Sequence, residues 1–172
     1  RLLRPPSEAR PLILQASNGR SWNNCTFCEM YTQPQKRFSI KPQSAIDAEL
    51  AFIADQGAPV RRLFLADGDA MTLSTRRLRT ILESIRKYLP DVQRVSSYCL
   101  PRNTKNKTAA ELSELRELGL SLFYVGCESG DNLILERVNK GETFDSSLAA
   151  LETIKAAGAK SSVMILNGMG GR

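Results

Sequence analysis

The chain contains no histidine. That absence removes imidazole general bases, Ser-His-Asp and Cys-His nucleophile systems, and histidine-ligated zinc. Any catalysis must run through cysteine, carboxylates, lysine, tyrosine, serine or a cofactor. No apolar run approaches the roughly 18–20 residues that a membrane-spanning helix needs, which excludes an integral membrane protein. With 11 Gly and 8 Pro in 172 residues, collagen-like and low-complexity classes are excluded as well. Cysteine is sparse: Cys25, Cys28, Cys99 and Cys127. No secretory h-region precedes them, so they point to thiols or metal ligands rather than to a disulfide framework.

What is present is an ordinary globular composition, 42% hydrophobic and 24% charged, enough for one domain or one and a half. The net charge of +6 is spread along the chain. Only Arg61-Arg62 and Arg76-Arg77 form doublets, and they read as solvated faces or helix starts; a nucleic-acid partner is not expected. The chain opens on Arg1 and stops on a glycine-rich turn, Met169 to Arg172, directly after an apolar run. It reads as a piece of a longer protein whose last strand leaves a bare sheet edge, so self-association is expected.

Residues 1–11 read as an irregular Pro- and Arg-rich segment, and residues 12–172 as the folded body. Leu12 to Ala16 is a short buried strand, followed by a long connection over 17–42 that carries Cys25 and Cys28; connections of that length in a compact domain are usually functional. Ser44 with Asp47 suggests a capping box, with Gly57 as the helix stop. Arg62 to Leu65 is a strand. Ser74 caps a helix with Leu78, Ile81, Leu82, Ile85 and Leu89 on one face. Val92 to Tyr98 is a strand, and Thr108 with Glu111 opens the next helix. Leu120 to Gly126 is a strand, Asp131–Val138 and Phe144–Ala157 are helices, and Ser161 to Leu166 is the last strand. Strands alternating with helices mean βαβ units and a parallel sheet. No G-x-G-x-x-G follows any strand. The expected fold is therefore α/β, a partial (β/α) barrel with about five units; an open doubly wound sheet is the alternative.

In both architectures ligands sit at the carboxyl ends of the strands. Those ends carry Cys25 and Cys28, then Asp67-Gly68-Asp69, then Ser96 to Cys99, then Gly126 to Gly130, then Asn167 to Gly170. The C-x-x-C pair can share one metal or one cluster, although zinc ribbons and thioredoxin-like sites use the same spacing. Cys99 and Cys127 read as small buried residues.

The segment Gly19-Arg20-Ser21-Trp22-Asn23-Asn24-Cys25-Thr26-Phe27-Cys28-Glu29-Met30-Tyr31 resembles the cluster loop of the radical S-adenosylmethionine (radical SAM) enzymes. The resemblance continues through Leu65 to Ala70, Ser96 to Tyr98, Tyr124 to Gly130, Val138 to Gly141 and Met164 to Gly171. It implies a TIM-like partial barrel, a 4Fe–4S cluster held by three cysteines, and S-adenosylmethionine chelated to the open iron. It further implies reductive cleavage to a 5′-deoxyadenosyl radical that abstracts hydrogen from a substrate, an electron donor such as a flavodoxin or ferredoxin, and a cytoplasmic location. Cys25 and Cys28 would be metal ligands. Phe27 would pack near adenine, Gly68 and Asp69 would receive the methionine ammonium, Glu128 would hold the ribose diol, and Ser97, Asn167 and Gly168 would be further contacts.

The resemblance departs at position 20, where the first cluster cysteine is replaced by Arg20. A guanidinium offers no lone pair to iron and stays charged. Three accounts are open. The cluster is lost, leaving a non-catalytic barrel that binds a nucleotide-like ligand or a protein partner; Cys99 or Cys127 substitutes; or a one-base error separates this Arg codon from Cys.

Overall fold

The structure, a computed structural model, describes residues 5–28 and 38–171, without the side chain of Asp67. The Glu29, Met30 and Tyr31 part of the loop motif lies outside the described residues. The elements run β1 (Leu12–Gly19), β2 (Ser39–Ile40), α1 (Gln43–Asp55), β3 (Arg62–Gly68), α2 (Thr75–Tyr88), β4 (Arg94–Cys99), α3 (Pro101–Thr104), α4 (Ala109–Glu117), β5 (Leu120–Glu128), α5 (Asn132–Arg137), α6 (Phe144–Ala156) and β6 (Lys160–Ile165). They build one six-stranded sheet in the order β2-β1-β3-β4-β5-β6. All neighbours are parallel except β2, which runs antiparallel to the end of β1 through Ser17–Ile40 and Asn18–Ser39. This is the expected mixed α/β fold, a partial TIM-like barrel. The short strand β2 and the single turn α3 carry no periodicity long enough to be read from sequence.

Local chemistry explains most boundaries. The Ser74 side chain accepts from the Arg77 N–H, and Thr108 and Glu111 cap each other reciprocally. Asp131 accepts from Leu133 and Ile134. Gly57 closes the turn after α1 at φ +67. The expected Ser44–Asp47 box does not form. Pro42 takes the N-cap place, its carbonyl accepting from Ala45 and Ile46. Ser44 thus falls inside the first turn, and Gln43 reaches Asp47 and Ser84 instead, docking α1 on α2.

Alternation along the strands separates two faces. Leu14, Leu65, Val95, Phe123 and Val125 meet Leu78, Ile81, Leu82, Leu112 and Ile154 from the helices in the main core. The other face is concave and carries Phe64, Ala66 and Tyr124, with Ile13, Tyr98, Leu122 and Met164 against them. Phe64, Tyr98 and Tyr124 meet edge to face, with ring centroids 5.1–6.3 Å apart, the arrangement their quadrupoles favour.

The N-terminal segment closes the lower end of this concavity. A 3-10 turn at Pro6–Glu8 buries Glu8 completely. Its Oε1 accepts from Arg94 (3.0 Å), Ser96 (3.0 Å) and the Tyr124 hydroxyl (2.9 Å). A carboxylate survives such burial only when donors and a cation meet it.

At the opposite edge, β6 pairs only with β5 among the described residues. Val163 is 44% and Ile165 55% exposed on its helix-side face, with Phe144 and Leu148 of α6 exposed nearby in sequence order. Adjacent apolar side chains beside unpaired backbone invite pairing with another chain. The isolated 172-residue chain is expected to self-associate in light scattering, and Val163→Lys with Ile165→Lys to return it to monomer mass. A native chain already monomeric at high concentration would contradict this.

Candidate functional site at the mouth of the barrel

The carboxyl ends of β1, β3, β4 and β5 open onto one small cavity of about 40 Å3, lined by Arg20, Asp69, Tyr98, Glu128 and Lys140 with the backbone of Gly68 and Gly126. Two irregularities aim the chain into it. In β1 the register with β3 jumps between Gln15 and Gly19, which face Ala66 and Gly68. A bulge of this kind bends the strand and redirects the next residues. A Cβ on Gly68 would lie 2.2 Å from the Ser17 carbonyl, so only glycine permits this approach. The Ser17 hydroxyl then accepts from the Asp69 N–H at 3.0 Å. Gly19 turns at φ +64, and the next residue, Arg20, sets its guanidinium 5.9 Å from the centroid of the Tyr98 ring.

In β5 the second shift lies between Gly126 and Glu128. Glu128 sits at φ +65, a left-handed conformation that a non-glycine residue adopts only when its surroundings impose it. Its Oε1 accepts from the Lys140 Nζ at 3.0 Å. A Cβ on Gly126 would stand 2.7 Å from that oxygen, so glycine makes room for the pair. Of the two carboxylates in the mouth, Glu128 is held by Lys140, and Asp69 accepts from Ser21.

The loop of residues 20–28 is clamped across this opening. Thr26 N–H donates to the Val138 carbonyl at 3.0 Å, and Trp22 Nε1 to that of Asn139 at 3.2 Å. Arg102 lies 4.1 Å over the Trp22 ring while its Nε donates to Glu142 at 2.7 Å. Gly141, at φ +68, lets the Trp22 ring approach; a Cβ there would lie 2.5 Å from it. Cys25 and Cys28 share the resulting tight turn, the Cys28 N–H reaching the Cys25 carbonyl at 3.3 Å. Both are partly exposed. Burial pushes the Cys25 thiol above its ordinary range, and the Lys140 charge opposes that rise.

Not every residue singled out in the sequence reaches the cavity. Gly68, Asp69 and Glu128 line it. Phe27 is exposed on the loop. Asn167 and Gly168 form an exposed turn after β6. Ser97 is buried on the helix side of β4, donating to the Tyr98 carbonyl at 2.9 Å. Cys99 and Cys127 are buried in the main core, and Cys99 also lines the cavity. The Cys99 thiol donates to the Leu100 carbonyl at 3.4 Å, and burial drives both thiols upward. Tyr98 and Lys140, which also line the cavity, were not singled out as site residues.

A model of the radical SAM superfamily matches residues 20–172. The chain belongs to the radical SAM superfamily. No curated protein matches it by sequence. Solved radical SAM structures share its fold. The cobalamin-dependent S-adenosylmethionine radical enzyme OxsB superposes with a TM-score of 0.73 at 20% identity, over 90% of this chain and 23% of that one. Coproporphyrinogen III oxidase HemN from Escherichia coli gives 0.69 at 19%, over 92% and 38%. The hydrogenase maturase HydG from Carboxydothermus hydrogenoformans gives 0.66 at 21%, over 93% and 37%. The chain thus spans between 23% and 38% of these proteins' length.

Radical SAM membership implies a 4Fe–4S cluster and S-adenosylmethionine. The donor set of this chain does not fit a cluster held by three cysteines. Cys25 and Cys28 share one turn of the loop, the third position is a guanidinium set against Tyr98, and the Cys99 and Cys127 thiols are buried in the main core, with the Cys99 thiol on the Leu100 carbonyl. Among the described residues no group of three Cys, Asp or Glu side chains could hold a metal ion.

Thiol chemistry tests this arrangement. Ellman's reagent is expected to titrate Cys25 and Cys28 in the native chain and to reach Cys99 and Cys127 only on unfolding. Since the thiolate is the reactive species, removing the Lys140 cation should raise the Cys25 pKa further. Lys140→Met should therefore slow alkylation of Cys25 at neutral pH. Four fast thiols in the native chain, or an unchanged Cys25 rate, would contradict the geometry.

Proposed function

We propose that this domain is a radical SAM-type core that binds S-adenosylmethionine in the mouth of the half-barrel. The observation that carries the reading is the convergence of Asp69, Glu128, Gly68 and Gly126 on one cavity that Arg20, at the start of the cysteine loop, also lines. In this reading Asp69 faces the methionine end and Glu128, held by Lys140, faces the ribose. Phe27, Asn167 and Gly168 would close over the nucleoside, and Ser97 would act only through the backbone of Tyr98.

Reductive cleavage to a 5′-deoxyadenosyl radical, with hydrogen abstraction from a substrate, is the superfamily's reaction. An electron donor such as a flavodoxin or ferredoxin and a cytoplasmic location belong to the same reading; no helix among the described residues is long and apolar enough to cross a membrane. That reaction needs a thiolate where Arg20 stands, so no step is assigned through a cluster in the native sequence. Cys25 and Cys28 supply two ligands, and a cation at the third place repels the iron it would have to hold.

Anaerobic reconstitution with iron and sulfide tests this reading. The native chain should take up far fewer than the about four irons of a complete cluster. Arg20→Cys should approach that number, gain the broad visible absorbance of an iron–sulfur centre, and release 5′-deoxyadenosine from S-adenosylmethionine under reduction. Full and stable iron loading of the native chain, or a colourless Arg20→Cys variant, would overturn it.

A further inference from the structure

The misfit between this donor set and a three-cysteine cluster leaves a thiol pair with chemistry of its own. The Cys28 N–H reaches the Cys25 carbonyl at 3.3 Å, closing a tight turn over residues 25–28. Such a turn holds its end Cα atoms within about 7 Å, and bridged cysteines stand about 4.4–6.8 Å apart. The turn is fixed from outside. Thr26 N–H donates to the Val138 carbonyl at 3.0 Å, and Trp22 Nε1 to the Asn139 carbonyl at 3.2 Å. Both thiols are partly exposed, whereas Cys99 and Cys127 are buried, so a reagent in solution meets one pair. Lys140, Arg20 and the Trp22 indole N–H all act on the Cys25 thiol in favour of its thiolate, against the larger effect of burial. The thiolate is the form that exchanges.

We propose that Cys25 and Cys28 form a dithiol–disulfide redox site whose substrates are low-molecular-weight disulfides of the glutathione class. This goes beyond S-adenosylmethionine binding and rests on the guanidinium at position 20, not on that reading. One cysteine thiolate attacks a sulfur of the incoming disulfide, forms a mixed disulfide and expels the first small thiolate. The second cysteine gives up its proton and attacks the protein sulfur of the mixed disulfide, and the second small thiolate leaves. The incoming S–S bond breaks and the Cys25–Cys28 bond forms. Two electrons pass to the small disulfide, and the two cysteine protons end on the released thiols. Because the turn is already closed, the bridging step orders little additional chain.

The test equilibrates the full native chain, reduced and freed of metal with a chelator, against anaerobic mixtures of reduced and oxidised glutathione. Intact mass and peptide mapping follow the thiols, and Trp22, the only tryptophan, reports on the loop by fluorescence. The native chain should lose two hydrogens in one internal Cys25–Cys28 bridge, with Trp22 emission quenched, and excess reduced glutathione should reverse both changes. The equilibrium should favour the bridge about tenfold more than in the same chain unfolded in urea, about 30 mV for this two-electron couple. Cys25→Ser and Cys28→Ser should each stop at a mixed disulfide with glutathione on the remaining cysteine. A native chain that stays reduced, stops at glutathione adducts on both cysteines, or bridges to Cys99, Cys127 or a second chain would overturn this inference and leave S-adenosylmethionine binding standing. Equal equilibria in the folded and unfolded chain would do the same. Full iron loading of the native chain would overturn both.

Discussion

Five strands, β1, β3, β4, β5 and β6, run parallel, and each crossover between them returns the chain to the same starting edge. Their carboxyl ends therefore share one rim, and residues far apart in sequence become neighbours without any pairwise design. Asp69, Tyr98 and Glu128 meet at the mouth for this reason. The helices take the opposite face, where Leu78, Ile81, Leu82 and Ile85 of α2 are buried against the strands. At ~1.5–3 kcal/mol for each fully buried side chain, that face holds the sheet, and the concave face is left for chemistry.

Three small departures from regularity turn this scaffold into a site. The bulge before Gly19 carries the chain inward, the left-handed turn at Glu128 aims its carboxylate into the mouth, and Gly141 lets Trp22 seat the loop against the segment after α5. Glycine takes positive φ at Gly19 and Gly141 without strain, whereas Glu128 costs about 1–3 kcal/mol there; each departure is accompanied by a specific contact: Ser17 with Asp69, Lys140 with Glu128, Asn139 with Trp22. Below, the buried Glu8 carboxylate closes the barrel floor against the partly exposed Arg94. The side chain at position 20 consequently decides the character of the mouth. A thiolate there would complete a triad with Cys25 and Cys28; a guanidinium instead brings a fixed positive charge to the mouth.

The periodicity of 3.6 and the capping residues made α2, α4 and α6 legible, because their signals are local. The parallel order and the rim followed from the alternation of strands and helices. What stayed hidden depends on distant partners. Glu8 lies in a segment that reads as irregular, and its burial rests on Arg94, Ser96 and Tyr124, more than 80 positions away. The clamp of Trp22 on Asn139 has no local signature either. The Ser44–Asp47 box shows the converse: the residues of a motif were present, but Pro42 had already set the helix start. Strand parity placed Ser97 on the helix side, a point that depends on its register with Leu65 and Phe123 and not on the Ser-Ser-Tyr motif itself.

The most direct test is a crystal structure of the native chain grown anaerobically with S-adenosylhomocysteine, iron and sulfide, with anomalous data at the iron edge. The account predicts no cube of iron at Cys25 and Cys28, the Arg20 guanidinium still at the mouth, and the ligand seated against Asp69 and Glu128. An iron–sulfur cluster on those two thiols, with Arg20 swung out of the mouth, would contradict it.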